Sequence, residues 1–325
     1  MITFFLGAGF SYVGGVPLAR HLFEEEPQVD RINRSRLIDR VLTKWNIWSK
    51  KHGGMPEEYL SELKRSGTTE WIDAVWYVSL VIALKMGRLE LIGLNPKITR
   101  HNVNRTTGIK EHEKFWTTIF RITNSISVLT TNYDILAERG LRHVPRPRVP
   151  RPGFHYGFGV ETLAGGGYPS YAHIQKIDIK GSVPLLKLHG SVSWSFSKDQ
   201  LIRYHDCRPA IRGDAAIIAP ITQKELPNYL EPIWKKAQNI LENSEVWIFI
   251  GYSLPKYDKL VLELLKSSSK NNCSNIHVFD PDPVVAQRFH KIFGKKVSSY
   301  PGIPDGIPQL QSILEKYCST KREIN

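Results

Sequence analysis

Cysteine is scarce in this 325-residue sequence: Cys207, Cys273 and Cys318 stand far apart and never at Cys-x-x-Cys spacing. No disulfide framework and no zinc ribbon can be built from them. No uninterrupted apolar stretch approaches the roughly 18 residues that a membrane-spanning helix needs. The apolar run at the start is short, lacks a basic leader and ends in glycines, so a cytoplasmic, soluble protein with no membrane partner is expected. Acidic side chains are also few, 31 Asp and Glu against 44 Lys and Arg, a net charge of +13. That excess favours a polyanionic ligand, a nucleic acid or an acidic protein partner, and it carries no information about fold. A hydrophobic share of 41% and a charged share of 23% are those of an ordinary globular chain, long enough for one large domain with an insertion or for two domains.

What is present begins at the first residues. Ile2-Thr3-Phe4-Phe5-Leu6 reads as a buried strand and stops at Gly7-Ala8-Gly9, followed by Ser11, Gly14-Gly15 and Pro17. A glycine turn after a buried strand lets the backbone approach a pyrophosphate, with amide N–H groups and a helix N-terminus facing the anion. The third glycine of G-x-G-x-x-G is missing, because Tyr12 occupies its place. The turn is therefore either a nucleotide cradle or a bend that the chain needs in any case.

After Pro17 a short helix is expected. From residue 30 to 123 the apolar residues recur at three- and four-residue steps, among them Leu37, Val41, Trp45 and Trp48, then Trp71, Val75, Val78 and Ile82. This block reads as an inserted helical module, broken at Asn95-Pro96, with its tryptophans in the core rather than lining a pocket. Strand-like runs return at 127–130, 185–188, 215–219, 246–250 and 276–279, with helical patterns at 229–242, 259–266 and 284–293. Continuous hydrophobicity in strands that alternate with helices predicts an α/β fold, a Rossmann-like doubly wound parallel sheet formed by residues 1–29 and 124–325. Ligands in such sheets gather at the carboxyl ends of the strands. The arginine- and proline-rich stretch 142–152 is a solvated basic loop or a contact for nucleic acid or phosphate; with Gly165-Gly166-Gly167 beyond it, 142–180 could form a lid or an interface. Residues 319–325 read as a frayed tail.

Polar clusters close several of the strands: Thr131-Asn132-Tyr133-Asp134, Lys187-Leu188-His189-Gly190-Ser191, and Gly251-Tyr252-Ser253-Leu254 with Asp258. Taken singly, an Asn-x-Asp after a strand is an ordinary Asx turn and a histidine before glycine is a structural residue. In this order, behind Gly7-Ala8-Gly9, they resemble the sirtuin family, and most of all its sirtuin-like branch in bacterial anti-phage defence. The resemblance covers the first seventeen residues and much of 127–285; the helical block and the basic loop match no motif.

The resemblance implies NAD+ held in an extended crevice and cleavage of its nicotinamide–ribose bond. That reaction develops positive charge on the ribose, so nicotinamide must be expelled and the attacking group controlled. Asn132 is then expected to fix the ribose hydroxyls or a water, and His189 to act as general base, its imidazole titrating near neutrality. Gly7, Ala8 and Gly9 would hold the pyrophosphate, with Ser11 adding a hydroxyl. Gly251 and Ser253 would flank the adenosine. Pro17 and Thr131 belong with this cofactor-binding set, and Asp134 would orient donors in its turn or stabilise nearby positive charge. His21, His101, His112 and His173 receive no role.

Two departures bear on the reaction. Sirtuin deacylases carry Asp-Phe-Arg where this chain has Leu18-Ala19-Arg20, and their zinc ribbon needs the Cys-x-x-Cys pairs that are missing here. Water is thus the expected acceptor, which makes the expected activity a metal-free NAD+ hydrolase that depletes NAD+ during infection. Its alternatives are a protein deacylase or ADP-ribosyltransferase using the same cofactor, and a sensor or assembly subunit that binds NAD+ or ADP-ribose without cleaving it. Control would come from homo-oligomer assembly or from a partner such as a DNA-translocase-type ATPase or a prokaryotic Argonaute, with nucleic-acid contact suggested by the net charge.

Overall fold

Strand β1 (Ile2–Leu6) is buried at every position, with Phe4, Phe5 and Leu6 fully enclosed in the computed structural model of the chain. The structure describes residues 1–25, 32–86, 109–143, 154–156, 161–163, 172–173, 183–197, 200–204, 207–270 and 272–322. The further strands are β2 (Ile126–Thr130), β3 (Phe154–His155), β4 (Glu161–Leu163), β5 (Ala172–His173), β6 (Val183–Lys187), β7 (Gly190–Ser197), β8 (Gln200–Tyr204), β9 (Ala215–Ile217), β10 (Val246–Ile250), β11 (Asn275–Phe279) and β12 (Val297–Tyr300). Seven of them form one sheet in the order β12-β11-β10-β1-β2-β6-β3, and every pairing in it is parallel. Its central strands are apolar on both faces because helices cover both, as in β10, Val-Trp-Ile-Phe-Ile. Each such side chain contributes roughly 1.5–3 kcal/mol by leaving water. The architecture is α/β and Rossmann-like, as the strand and helix patterns predict.

Register explains how distant motifs meet. Leu6 pairs with Ile250 on one side and Thr130 on the other, Thr130 pairs with Lys187, and Ile250 pairs with Phe279. Lys187, Thr130, Leu6, Ile250 and Phe279 thus form one row across the sheet. The segments that follow them leave from the same edge. The chain runs outward from β1 through β2, then crosses to β10 on the other side, so the switch in strand order falls beside β1, where a crevice opens in sheets of this kind.

The helices are α1 (Ala8–Tyr12), α2 (Ile32–His52), α3 (Pro56–Ser66), α4 (Glu70–Lys85), α5 (Ile109–Ile122), α6 (Leu136–His143), α7 (Arg208–Arg212), α8 (Glu231–Glu242), α9 (Lys259–Ser268), α10 (Pro283–Phe293) and α11 (Ile307–Arg322). Between 30 and 123 the described residues are helical, but they serve two cores. Phe115 and Trp116 of α5 pack on Phe4 and Phe10 behind the sheet, whereas α2, α3 and α4 enclose a second cluster in which Phe23 stacks on Trp45 and Tyr77. Trp45, Trp48, Trp71 and Trp76 all belong to this second cluster or pack against it, as their helical spacing predicts.

Several expectations change. The first helix starts at Ala8, inside the glycine turn, and the segment after Pro17 forms only a 3-10 turn, Ala19–Glu24. The run at 215–219 is not a strand of the parallel sheet: β9 pairs antiparallel with β7 in a second, five-stranded sheet of order β5-β4-β8-β7-β9. The run is apolar and strand-forming, but hydrophobicity alone does not say which sheet a short strand joins. The supposed frayed tail is helical as far as Arg322 in α11, whose Leu310 and Leu314 are buried. The break at Asn95-Pro96, the loop 144–153 and most of the suggested lid lie outside the described residues.

Candidate active site

A cavity of about 750 Å³ opens at the row of strand ends, within the roughly 300–1,000 Å³ usual for cofactor pockets. Ala8, Gly9, Ser11, Pro17, Thr131, Asn132, Asp134, His189, Gly251 and Ser253 all border it. Gly7 does not; it lies behind the wall, its N–H bonded to the Ile250 carbonyl.

The glycines act first through packing. Gly9 N–H donates to the Gly251 carbonyl at 2.8 Å, so the turn after β1 lies directly against the turn after β10. A methyl group on Gly9 would come within 2.7 Å of the Gly251 Cα, and Gly251 itself has φ +58°. Only glycine permits that approach and that backbone together. The Gly7 N–H thus goes to the last residue of β10 and the Gly9 N–H to the turn behind it.

Asn132 secures the next turn. Its Nδ2 donates to the Gly7 carbonyl and to Ser11 Oγ, both at 2.8 Å, and its N–H bonds Thr130 Oγ1. With both Nδ2 protons used, Oδ1 is the polar atom left for a ligand. Asp134 behaves as an Asx turn, Oδ1 accepting from Leu136 N–H at the start of α6. Lys187, fully buried, donates to the Asp134 carbonyl and pairs with Glu138 at 3.2 Å, which makes the lysine of this motif a structural clamp. His112 is structural too: its Nε2 bonds the Phe10 carbonyl at 2.8 Å.

His189 is held rigidly. Leu188 N–H donates to the Thr130 carbonyl, Trp234 Nε1 donates to the Leu188 carbonyl, and Ile218 N–H donates to the His189 carbonyl. The imidazole is buried, with the Thr131 carbonyl in hydrogen-bonding reach of one nitrogen. Nε2 stands 3.3 Å from Asp258 Oδ1, so the imidazole faces the carboxylate directly. Burial pushes the His189 pKa below its ordinary value, and Lys224 adds to this, against the opposing pull of Asp258.

Asp258 is the centre of a buried network that the motif reading placed beside the site without a role. Its Oδ1 accepts from Lys224 Nζ at 3.0 Å and its Oδ2 from the Tyr252 hydroxyl at 3.1 Å. Burial alone would raise its pKa; His189 and Lys224 overcome that and hold the carboxyl well below the usual range. The same carboxylate helps burial to raise the Tyr252 and Tyr133 hydroxyls far above their ordinary values. Asp258 was visible in sequence through its short spacing from Gly251-Tyr252-Ser253. Lys224 and Glu57, which also border the cavity, carry no such signal, because nothing in their spacing shows that their loop and helix fold over the strand ends. Among the described residues no group of three or more His, Cys, Asp or Glu is placed to share a metal ion. Nor is any helix there long and apolar enough to cross a membrane.

No protein-family model and no curated protein matches the sequence. Solved structures do. The chain aligns over 98% of its length, and over 93% of the other, with a mutant Sir2 homologue in complex with 2'-O-acetyl ADP-ribose, at 14% identity and a TM-score of 0.50. A Sir2 homologue–NAD complex aligns over 98% and 90% of the two chains at 14% identity and a TM-score of 0.49. Identity this low speaks to architecture alone, and the architecture it identifies is that of a sirtuin-like fold.

Proposed function

We propose that the cavity binds NAD+ and that the protein hydrolyses its nicotinamide–ribose bond. The observation that carries this reading is His189: a buried imidazole on the cavity wall, its pKa pushed below the ordinary value by burial, with Asp258 3.3 Å from Nε2 to stabilise the cation that forms when it takes a proton. The 2'-O-acetyl ADP-ribose held by the structural neighbour supports an ADP-ribose-containing ligand. In the proposed reaction the C1'–N bond breaks with its electron pair passing to nicotinamide. Water attacks C1' and loses a proton to the His189 imidazole, directly or through a ribose hydroxyl, giving ADP-ribose and nicotinamide. Asn132 Oδ1 orients the water or the hydroxyl. Arg20, at the cavity border, supplies positive charge for the pyrophosphate.

Water is preferred as acceptor because the chain has no paired cysteines for the ribbon that shapes an acyl-lysine cleft. Deacylation is the second reading, favoured by the acetylated product in the same neighbour. Product analysis separates them: free ADP-ribose from NAD+ alone supports hydrolysis, O-acetyl-ADP-ribose from an acetylated peptide supports deacylation. If the protein releases no nicotinamide, alone or with the products of adjacent genes, the enzyme reading fails. Binding of NAD+ without turnover under every condition would make it a sensor. A hydrolase of this kind drains a shared cofactor, so we place it under control by self-assembly or by a partner, in the setting of anti-phage defence.

A further inference from the structure

Glu57 lies on α3, outside the parallel sheet, yet it borders the cavity and is almost completely buried. The helix is fixed over the strand ends by polar contacts. Ser61 Oγ lies 2.9 Å from Thr222 Oγ1 and accepts from Thr222 N–H at 2.8 Å, and Lys64 pairs with Glu225 at 3.2 Å. These bonds anchor α3 to the segment that carries Lys224. Glu57 Oε1 accepts from the Tyr257 hydroxyl at 2.6 Å, next in sequence to Asp258. Among the described residues its Oε2 has no hydrogen-bond partner.

A buried carboxylate oxygen without a donor is costly, and one on the wall of a cavity is relieved when a ligand brings a donor. Tyr257 precedes Asp258, whose Oδ1 lies 3.3 Å from His189 Nε2, so Glu57 stands at the His189 end of the cavity. An unfilled carboxylate oxygen at the His189 end calls for a ligand with an N–H or O–H group there.

We propose that Glu57 is a ligand-binding residue of this site, its Oε2 accepting a hydrogen bond from an N–H or O–H of the nicotinamide riboside half of NAD+. The proposal rests on the NAD+ reading. It makes the site composite: the sheet supplies Asn132, His189 and Asp258, and α3 supplies a carboxylate. Docking of α3 therefore governs how well the substrate is held. Two groups of the ligand could be the donor, the carboxamide or a ribose hydroxyl, and they are separable by ligand choice.

The experiment is calorimetric titration of NAD+, ADP-ribose and ADP onto a His189→Ala parent and onto the same protein carrying Glu57→Gln or Glu57→Ala. Glu57→Ala is expected to weaken NAD+ by about tenfold or more, the usual worth of a hydrogen bond to a charged group, with Glu57→Gln in between and ADP unchanged. Parallel weakening of ADP-ribose identifies a ribose hydroxyl as the donor; unaltered ADP-ribose identifies the carboxamide. NAD+ affinity unchanged in Glu57→Ala overturns the proposal, and so does equal loss of NAD+ and ADP, which would make Glu57 purely structural. A parent that binds no NAD+ overturns the NAD+ reading itself, a different result from normal binding that ignores Glu57.

Discussion

His189 Nε2 and Lys224 Nζ converge on one oxygen of Asp258, at 3.3 Å and 3.0 Å. A single carboxylate thus faces a base that must gain a proton and an ammonium that already has one. Asp258 favours the imidazolium; Lys224 opposes it and keeps the carboxylate from holding the proton too tightly. Removing one partner of such a buried group leaves the other uncompensated.

Asp258→Asn should lower kcat for nicotinamide release by roughly a hundredfold, within the usual contribution of acid–base catalysis. Steady-state kinetics with matched NAD+ binding would check it. A loss confined to KM would assign Asp258 to binding instead.

The rate should rise with pH along a limb whose midpoint lies below the ordinary histidine value, since burial depresses the His189 pKa and the neutral ring is the base. Lys224→Met removes the cation that helps hold it down, so the midpoint should move up. Asp258→Asn should move it further down. A pH series of nicotinamide release on the three proteins gives both shifts, and opposite signs would refute the assigned network.

Gly251→Ala should destabilise the fold by at least about 2 kcal/mol, combining a left-handed backbone with a methyl group driven into Gly9 and Phe10. Urea unfolding of parent and variant measures it. An unaltered midpoint would mean that the two turns separate freely.

His277 should weaken the fold in acid. Burial, assisted by Lys316, lowers its pKa to about 4, while the unfolded chain titrates near 6.5. Between those values the unfolded chain binds the proton more readily, so stability falls as pH drops from about 6.5 and the loss is complete below about 4. Urea midpoints at pH 7 and pH 4.5 should differ less in His277→Gln than in the parent.

Much of the sheet was legible because its central strands are buried on both faces. Val246–Ile250 is wholly apolar and Ile2–Leu6 is apolar but for Thr3, and each is followed by glycine. The second sheet escaped notice because its strands are short and mixed in polarity, as in Gln200–Tyr204. The helical period of 109–122 was plain, but period alone could not tell that Phe115 and Trp116 face the main sheet rather than the other helices.

For the site, sequence determined the chemical inventory: an amide at 132, an imidazole at 189 and glycines at 7, 9 and 251, each placed just after a strand end. It also determined that those strand ends share an edge, once a parallel sheet was inferred. Hydrogen-bond commitment was decided only by tertiary structure, because a donor's partner depends on which turns touch. Gly7 commits its amide to Ile250 and Gly9 to Gly251, Asn132 commits its side-chain donors to Gly7 and Ser11, and Lys187 goes to Asp134 and Glu138. Tertiary structure also brought Lys224 and Glu57 to the cavity, since their positions follow from α3 docking on 220–225, a contact between surfaces 161 residues apart that no local pattern encodes.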